Sequence, residues 1–193
     1  MSLVARRPSQ KLVDLVGTLR GTWHGNRAMC RCPAHADETP PPGLEAAAVP
    51  EALARVKALA VSALRAEALV LGSDTLVVID GEVLGKPSDT ADAVAMLRRL
   101  NGRTHRVYTG VALTRAGVLL GSGTGCTEVT FALQPEAALE AYVNSGEPMD
   151  KAGSYAIQGR GAFLVEKIDG CFFNVMGLPV QKTLTLLEPH STP

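Results

Sequence analysis

A carboxylate and a lysine lie close together in this sequence, on either side of a short predicted turn. The apolar run 68–71 predicts a buried strand that ends at 72–75, which places Asp74 and a hydroxyl group at a strand end. A second apolar run, an Asp-Gly turn at 80–81 and then Lys86 follow, so a hairpin brings the two side chains together. The carboxylate can hold a metal or activate water, and the lysine can neutralise phosphate oxygens. The pair predicts phosphate chemistry, with an aspartate that only caps a turn as the open alternative.

A glycine-punctuated loop at 146–159 carries a second set of polar side chains. Asp150 and Lys151 repeat the combination of acid and base, and glycines allow a ligand to approach the backbone closely. Gln158 can both donate and accept hydrogen bonds, which suits recognition of the edge of a nucleobase. A long solvated loop without function is the alternative at this point.

The bulk composition is that of a soluble globular protein. The 193 residues are 46% hydrophobic and 20% charged with a net charge of zero, so neither nucleic acid nor a membrane is an expected partner. Apolar runs are too short to span a bilayer, and the first residues lack a signal-peptide pattern. Four scattered cysteines favour the reducing cytoplasm, and Cys126 and Cys171 are expected in the core because they fall in predicted strands.

Helical and strand patterns alternate along the chain. Apolar spacing predicts a helix from Pro50 to Leu64, and a second helix that begins after a cap at residue 88 or 89 and ends at 101–102. Alternating segments predict several strands, with 162–168 and 171–175 joined as a hairpin, and a final helix covers 178–187. Because several strands meet through hairpins, the pattern predicts an α/β fold with a mixed sheet.

Seven short motifs occur in an order that identifies a family resemblance. They lie at 73–75, 84–87, 100–105, 146–148, 150–153, 156–159 and 174–179. Together they resemble the Maf family of nucleoside triphosphate pyrophosphatases, from about Asp37 to the C-terminus. The resemblance implies a bent mixed sheet with flanking helices and two lobes around a nucleotide cleft. It also implies that a nucleoside triphosphate is cleaved to the monophosphate and pyrophosphate with a divalent metal, Mg²⁺ or Mn²⁺.

The resemblance also implies a role for individual residues. It assigns catalysis and phosphate binding to four positions, namely Asp74, Lys86, Lys57 and Glu38, of which Asp74 and Glu38 would also hold the metal. It assigns substrate binding to four others, namely Thr75, Gln158, Asp150 and Lys151, with Thr75 and Gln158 selecting the base. The sequence around Gln158 resembles the branch acting on dTTP and UTP rather than the branch acting on a methylated GTP.

The first 36 residues depart from the family pattern. The family opens with a strand and a Ser-x-Ser-x-Arg-Arg phosphate loop, which has no match here; residues 10–39 instead resemble a truncated primase-type zinc ribbon. Cys32 and His35 supply only two ligands, too few for a tetrahedral zinc site. We therefore expect an atypical segment, 1–36, before a Maf-like domain, 37–193.

Three functions stay open from the sequence. The first is an enzyme that hydrolyses pyrimidine nucleoside triphosphates, and a homodimer is compatible with it. The second is an impaired or inactive nucleotide-binding protein, because the missing phosphate loop removes charge-assisted contacts and a strand. The third is a zinc-dependent nucleic-acid module built from 20–39.

Overall fold

The computed structural model describes residues 22–24, 27–29 and 39–190. The chain divides into two compact units, 1–37 and 38–193. In the smaller unit, β1 (Thr22–His24) and β2 (Arg27–Met29) form an antiparallel pair. Glu38 and the two candidate zinc ligands, Cys32 and His35, lie outside the described residues.

The larger unit is a five-stranded sheet with helices on both faces. Its strands are β3 (Leu69–Ile79), β4 (Glu82–Leu84), β5 (Thr104–Arg115), β6 (Val118–Phe131) and β7 (Val165–Asp169), in the order β4-β3-β5-β6-β7. Its helices are α1 (Val49–Leu64), α2 (Thr90–Leu100), α3 (Glu136–Asn144), α4 (Phe172–Val175) and α5 (Val180–Leu187). Short 3₁₀ turns lie at Glu147–Asp150, Ala152–Ser154, Arg160–Leu164 and Glu188–His190. The predicted α/β class with flanking helices is confirmed, and the strands described here pair antiparallel throughout.

Two tight turns set the register of the sheet. Asp80 and Gly81 have φ values of 54° and 80° between β3 and β4, and Ala116 and Gly117 have φ values of 50° and 74° between β5 and β6. Consecutive positive φ angles are those of the hairpin turns whose twist matches that of the strands. The Asp-Gly turn predicted at 80–81 is therefore confirmed.

One face of the sheet carries the main hydrophobic core. α2 and α3 pack there, and the completely buried side chains include Leu97, Leu100, Phe131 and Leu139. α2 begins as predicted, because the side chain of its N-cap, Asp89, accepts a hydrogen bond of 2.8 Å from the backbone N–H of Asp92 in the first turn of the helix.

The other face is covered by α1 at very short range. Ala54 and Ala58 pack on Ala112 of β5, and a Cβ added to Gly72 would lie 2.4 Å from the carbonyl oxygen of Ala54. A Cβ on Gly110 would lie 2.2 Å from the backbone nitrogen of Glu51. Small residues on both elements allow this approach, and it fixes where the polar side chains of α1 meet the sheet.

Three local predictions are wrong. The strand expected to end at 72–75 continues to Ile79, because 72–78 pair with β5 residue by residue. The strand expected at 171–175 is instead the helix α4 (Phe172–Val175), after Gly170 turns the chain with φ 127°. Cys126 is exposed and Cys171 half-buried, so neither is a core residue. No helix among the described residues has both the length and the apolar content needed to cross a membrane.

Candidate active site

An ion pair joins the middle of β3 to α1. The ammonium nitrogen of Lys57 lies 2.5 Å from Oδ1 of Asp74. The two side chains are 21% and 13% exposed, respectively. The pair can form because the small residues of α1 bring this helix close to β3, as described above. Asp74 thus lies within a strand, not at its end, and the nearby positive charge stabilises its carboxylate.

Lys86 lies just beyond β4 and is exposed. The pairing of Val77 with Leu84 directs the chain after β4 back towards the level of Thr75 on β3. The preceding carbonyl, that of Gly85, accepts a hydrogen bond of 3.0 Å from the N–H of Gly153. This bond ties the Lys86 loop to the second polar loop of the sequence.

The second polar loop presents charged side chains next to that bond. Lys151 is half-buried and forms an ion pair with the exposed Asp150. Gly153 packs directly on β3, since a Cβ there would lie 2.9 Å from a methyl group of Val77. Lys86 and Lys151 therefore lie on two loops held together by the Gly85–Gly153 hydrogen bond, beside the strand that carries Asp74.

Thr75 lies on the face of β3 opposite to Asp74. Its Oγ1 is 2.9 Å from Oγ1 of Thr109, and the Thr109 hydroxyl donates a hydrogen bond of 2.7 Å to the carbonyl oxygen of Asn174. Ser73, on the same face, donates a hydrogen bond of 2.6 Å to the carbonyl oxygen of Gly177. Ser73 of β3 thus holds the chain just after α4, and Thr109 of β5 holds α4 itself.

The two edges of β3 differ in the strands that the described residues place beside them. The inner edge is closed, because Asp74 pairs with Gly110 and Thr75 with Thr109 on β5. On the outer edge β4 pairs only with 77–79, and no strand within 39–190 pairs with 69–76 on that side. The outer edge is also the side on which the chain continues from β4 to Lys86.

A carboxylate that the sequence analysis gave no role organises the loop of Gln158. Glu147 accepts hydrogen bonds from the N–H groups of Arg160 at 2.9 Å and Gly161 at 3.3 Å. Partial burial acts to raise the pKa of Glu147, but these backbone donors outweigh it and hold the pKa below its ordinary value. A Cβ on Gly159 would lie 2.2 Å from this carboxylate, so a larger residue there would displace it. Gln158 itself is exposed on the pinned loop.

The structure thus places the predicted residues in three groups. Asp74 and Lys57 are in contact, Lys86 and Lys151 lie on linked loops, and Gln158 occupies a separate exposed loop. Two residues that hold predicted site residues in place, Glu147 and Thr109, were not predicted from the sequence. Glu147 could have been found from its Gly-Glu-Pro motif and from the glycine after Gln158. No local pattern indicates Thr109, because its hydrogen-bond partners are 34 and 65 residues away in the sequence.

The carboxylate of Asp74 is a ligand of the type that Mg²⁺ takes in proteins. Among the described residues no cluster of three or more His, Cys, Asp or Glu side chains forms a ready metal cage. Mg²⁺ commonly binds through one or two carboxylates plus substrate phosphates, and the half-buried carboxylate of Asp74 meets that requirement.

Comparison with known protein families gives one match over most of the chain. The family described as Maf-like protein matches residues 22–190. The match begins 15 residues before Asp37, where the motif resemblance starts.

Curated relatives carry specific names. A dTTP/UTP pyrophosphatase of Moorella thermoacetica is 52% identical over 160 residues, which cover 80% of this chain and 80% of that protein. One from Myxococcus xanthus is 49% identical over 160 residues, which cover 83% of this chain and 81% of that protein. A third, from Pelotomaculum thermopropionicum, is 46% identical over 156 residues, covering 80% and 82%.

Proposed function

The chain belongs to the Maf-like protein family, and from this we propose that it hydrolyses dTTP and UTP to the nucleoside monophosphate and pyrophosphate. Its relatives named dTTP/UTP pyrophosphatase share about half of their residues with it over four fifths of its length. The structural observation that carries the proposal is the Asp74–Lys57 pair on β3, beside the outer edge where no strand within 39–190 pairs with 69–76.

In this proposal Asp74 is the general base. Its carboxylate accepts a proton from the attacking water while the water oxygen bonds to the α-phosphorus of the nucleotide. The bridging P–O bond breaks, and pyrophosphate leaves with the electron pair. Lys57 holds the carboxylate in its ionised form, and Lys86 and Lys151 neutralise the phosphate oxygens from the two linked loops.

A divalent cation, Mg²⁺ or Mn²⁺, completes the proposed site. Asp74 would hold it together with phosphate oxygens of the substrate, and Glu38 is the second proposed ligand. When bound, the cation lowers the energy of the charge that builds up on the phosphates.

The base would be recognised by two side chains, those of Thr75 and Gln158. Thr75 would contact it from the face that carries the 174–177 segment, and Gln158 would contact it from the loop pinned by Glu147. The amide of Gln158 offers both a donor and an acceptor, which matches the alternating groups on the edge of uracil and thymine.

A second candidate is the same protein with reduced turnover. The observation that favours it is the outer edge of β3, where the described chain supplies no strand beyond β4. A homodimer is compatible with either candidate, since a strand edge of this kind can pair with another chain.

We propose a cytoplasmic location, because the cysteines are few and scattered, and Cys126 and Cys171 carry free thiols.

Product analysis tests the proposal. The purified chain is incubated with dTTP, UTP, CTP or GTP in Mg²⁺ or in EDTA, and anions are separated by ion chromatography. We expect pyrophosphate and the monophosphate from dTTP and UTP, and no turnover in EDTA. Release of orthophosphate from the γ position would contradict the assignment. Full activity in EDTA would contradict the role of the metal.

A further inference from the structure

The hydroxyl of Thr109 has only one proton, and the structure shows where it goes. Thr109 is completely buried, and its hydroxyl donates to the carbonyl oxygen of Asn174 over 2.7 Å. A carbonyl can only accept, so this bond uses the single Thr109 proton. In the 2.9 Å contact between the two threonine hydroxyls, Thr109 must therefore accept and Thr75 must donate.

This fixes the polarity of Thr75. Its single proton is directed into the protein, towards Thr109, and only the lone pairs of its oxygen are left for a ligand. Thr75 is only partly buried. Any molecule bound against this hydroxyl therefore meets a hydrogen-bond acceptor.

The carbonyl that directs this polarity is itself held in place. The side chain of Asn174 is 1% exposed, and its Nδ2 donates to the carbonyl oxygen of Val107 at 2.9 Å and to Oγ1 of Thr127 at 3.2 Å. The backbone N–H of Asn174 donates to the carbonyl oxygen of Cys171 at 3.0 Å. With both the backbone and the side chain anchored, the Asn174 carbonyl has a fixed position beside Thr109.

We propose that Thr109 is a positioning residue that makes Thr75 an obligatory acceptor and so selects bases with an N–H at ring position 3. Uracil and thymine carry that N–H, whereas N3 of cytosine is an acceptor and would face the Thr75 lone pairs. The inference rests on the proposed function, because it assumes that a pyrimidine nucleotide lies at Thr75. It adds a residue and a physical cause for discrimination between UTP and CTP.

The test compares three variants with the wild-type chain. Thr109→Val keeps the shape and removes both hydrogen bonds, which frees the Thr75 proton to face the ligand. Thr109→Ser keeps a hydroxyl and should keep the polarity. Thr114→Val is the matched control, because Thr114 is equally buried on β5 and also donates to a backbone carbonyl, that of Ala58, at 3.1 Å.

Two measurements are made on each protein. Kcat/KM for UTP and CTP is measured in Mg²⁺, and the Kd of both nucleotides is measured by calorimetry in EDTA. We expect Thr109→Val to lower the UTP-to-CTP preference about tenfold or more, as loss of a discriminating hydrogen bond does. Thr109→Ser and Thr114→Val should leave the preference within about twofold of wild type, whatever they do to stability.

The outcomes separate this inference from the proposed function. If Thr109→Val lowered both kcat/KM values equally and kept their ratio, Thr109 would be merely structural and the inference would be wrong. A wild-type chain that hydrolysed UTP and CTP equally well would also overturn it, with pyrophosphatase activity intact. A chain that preferred UTP in EDTA but released no pyrophosphate in Mg²⁺ would refute the proposed function, and the Kd ratio of Thr109→Val would still decide the inference.

Discussion

Replacing Asp74 by Asn removes a charge and leaves the shape of the side chain unchanged. In the proposed mechanism this deletes the general base, which commonly supplies about 10² to 10⁴ in rate, or roughly 3–5 kcal/mol of transition-state stabilisation. We therefore expect kcat/KM for dTTP to fall at least about a hundredfold. The fold should persist, because the amide can still accept a hydrogen bond from Lys57.

The same change should have a moderate effect on stability. Breaking a fully buried ion pair costs about 3–5 kcal/mol, whereas exposed pairs contribute about 0–1 kcal/mol. Asp74 and Lys57 are 13% and 21% exposed, which lies between these cases, so we expect a loss of roughly 2 kcal/mol. For a domain of this size that corresponds to a decrease in Tm of roughly 4–8 °C.

Kinetics and melting are measured on the same samples with two comparison variants. Lys57→Met removes the other partner and should lower kcat/KM less than Asp74→Asn does, because the base itself remains. Glu128→Gln is the matched control, because it also changes a carboxylate to an amide within an ion pair of the same sheet. Glu128 pairs with Arg106 at 3.0 Å, and both side chains are exposed. It should change Tm by no more than about 2–4 °C and leave kcat near wild type.

One result would refute the catalytic role. If folded Asp74→Asn retained more than a tenth of the wild-type kcat/KM while its Tm fell as expected, Asp74 would serve the sheet rather than the reaction. The base would then have to be sought elsewhere along the same edge of β3.

Three further predictions concern pH, the Gln158 loop and the N-terminus. Burial lowers the pKa of His105 from 6.5 to about 4, so its contribution to stability is present above about pH 6.5 and is lost as pH falls towards 4. Denaturant unfolding should show about 2 kcal/mol less stability at pH 5 than at pH 7, and less of a decrease in His105→Phe. Gly159→Ala should displace Glu147 and raise KM for UTP more than it lowers kcat; equal effects on both would mean that the loop does not bind substrate. A chimera in which a Ser-x-Ser-x-Arg-Arg strand and loop replaces 1–36 should turn over dTTP much faster than the natural chain, and equal kcat/KM would show that the natural segment already substitutes for the loop.

The parts of the fold governed by local sequence were predictable. The two long helices follow from apolar spacing, the start of α2 from an Asp cap, and the β3–β4 turn from Asp80–Gly81. Each of these signals acts over a few residues. The α/β class follows from their order along the chain.

The errors have a common physical cause, which is pairing between distant segments. Residues 72–75 are small and polar, so they look like the end of a strand, yet they pair with β5 almost 40 residues later. Similarly, the strand predicted at 171–175 is a helix whose Asn174 bonds to β5 and β6. The sequence identified Asp74 and Thr75 through the family motif, but it could not predict the hydroxyl chain through Thr109.

The register of β3 against β5 is therefore part of the site as well as part of the fold. Asp74 and Thr75 are consecutive in the strand, and a slip of one residue would exchange their faces. Two features resist that slip. Gly72 and Gly110 leave no room for a Cβ beneath α1, so only this register lets the helix approach and deliver Lys57 to Asp74. On the opposite face, the Thr75–Thr109 hydrogen bond exists only when these residues lie side by side. The packing that stabilises the sheet thus also assigns the carboxylate to one face of β3 and the acceptor hydroxyl to the other.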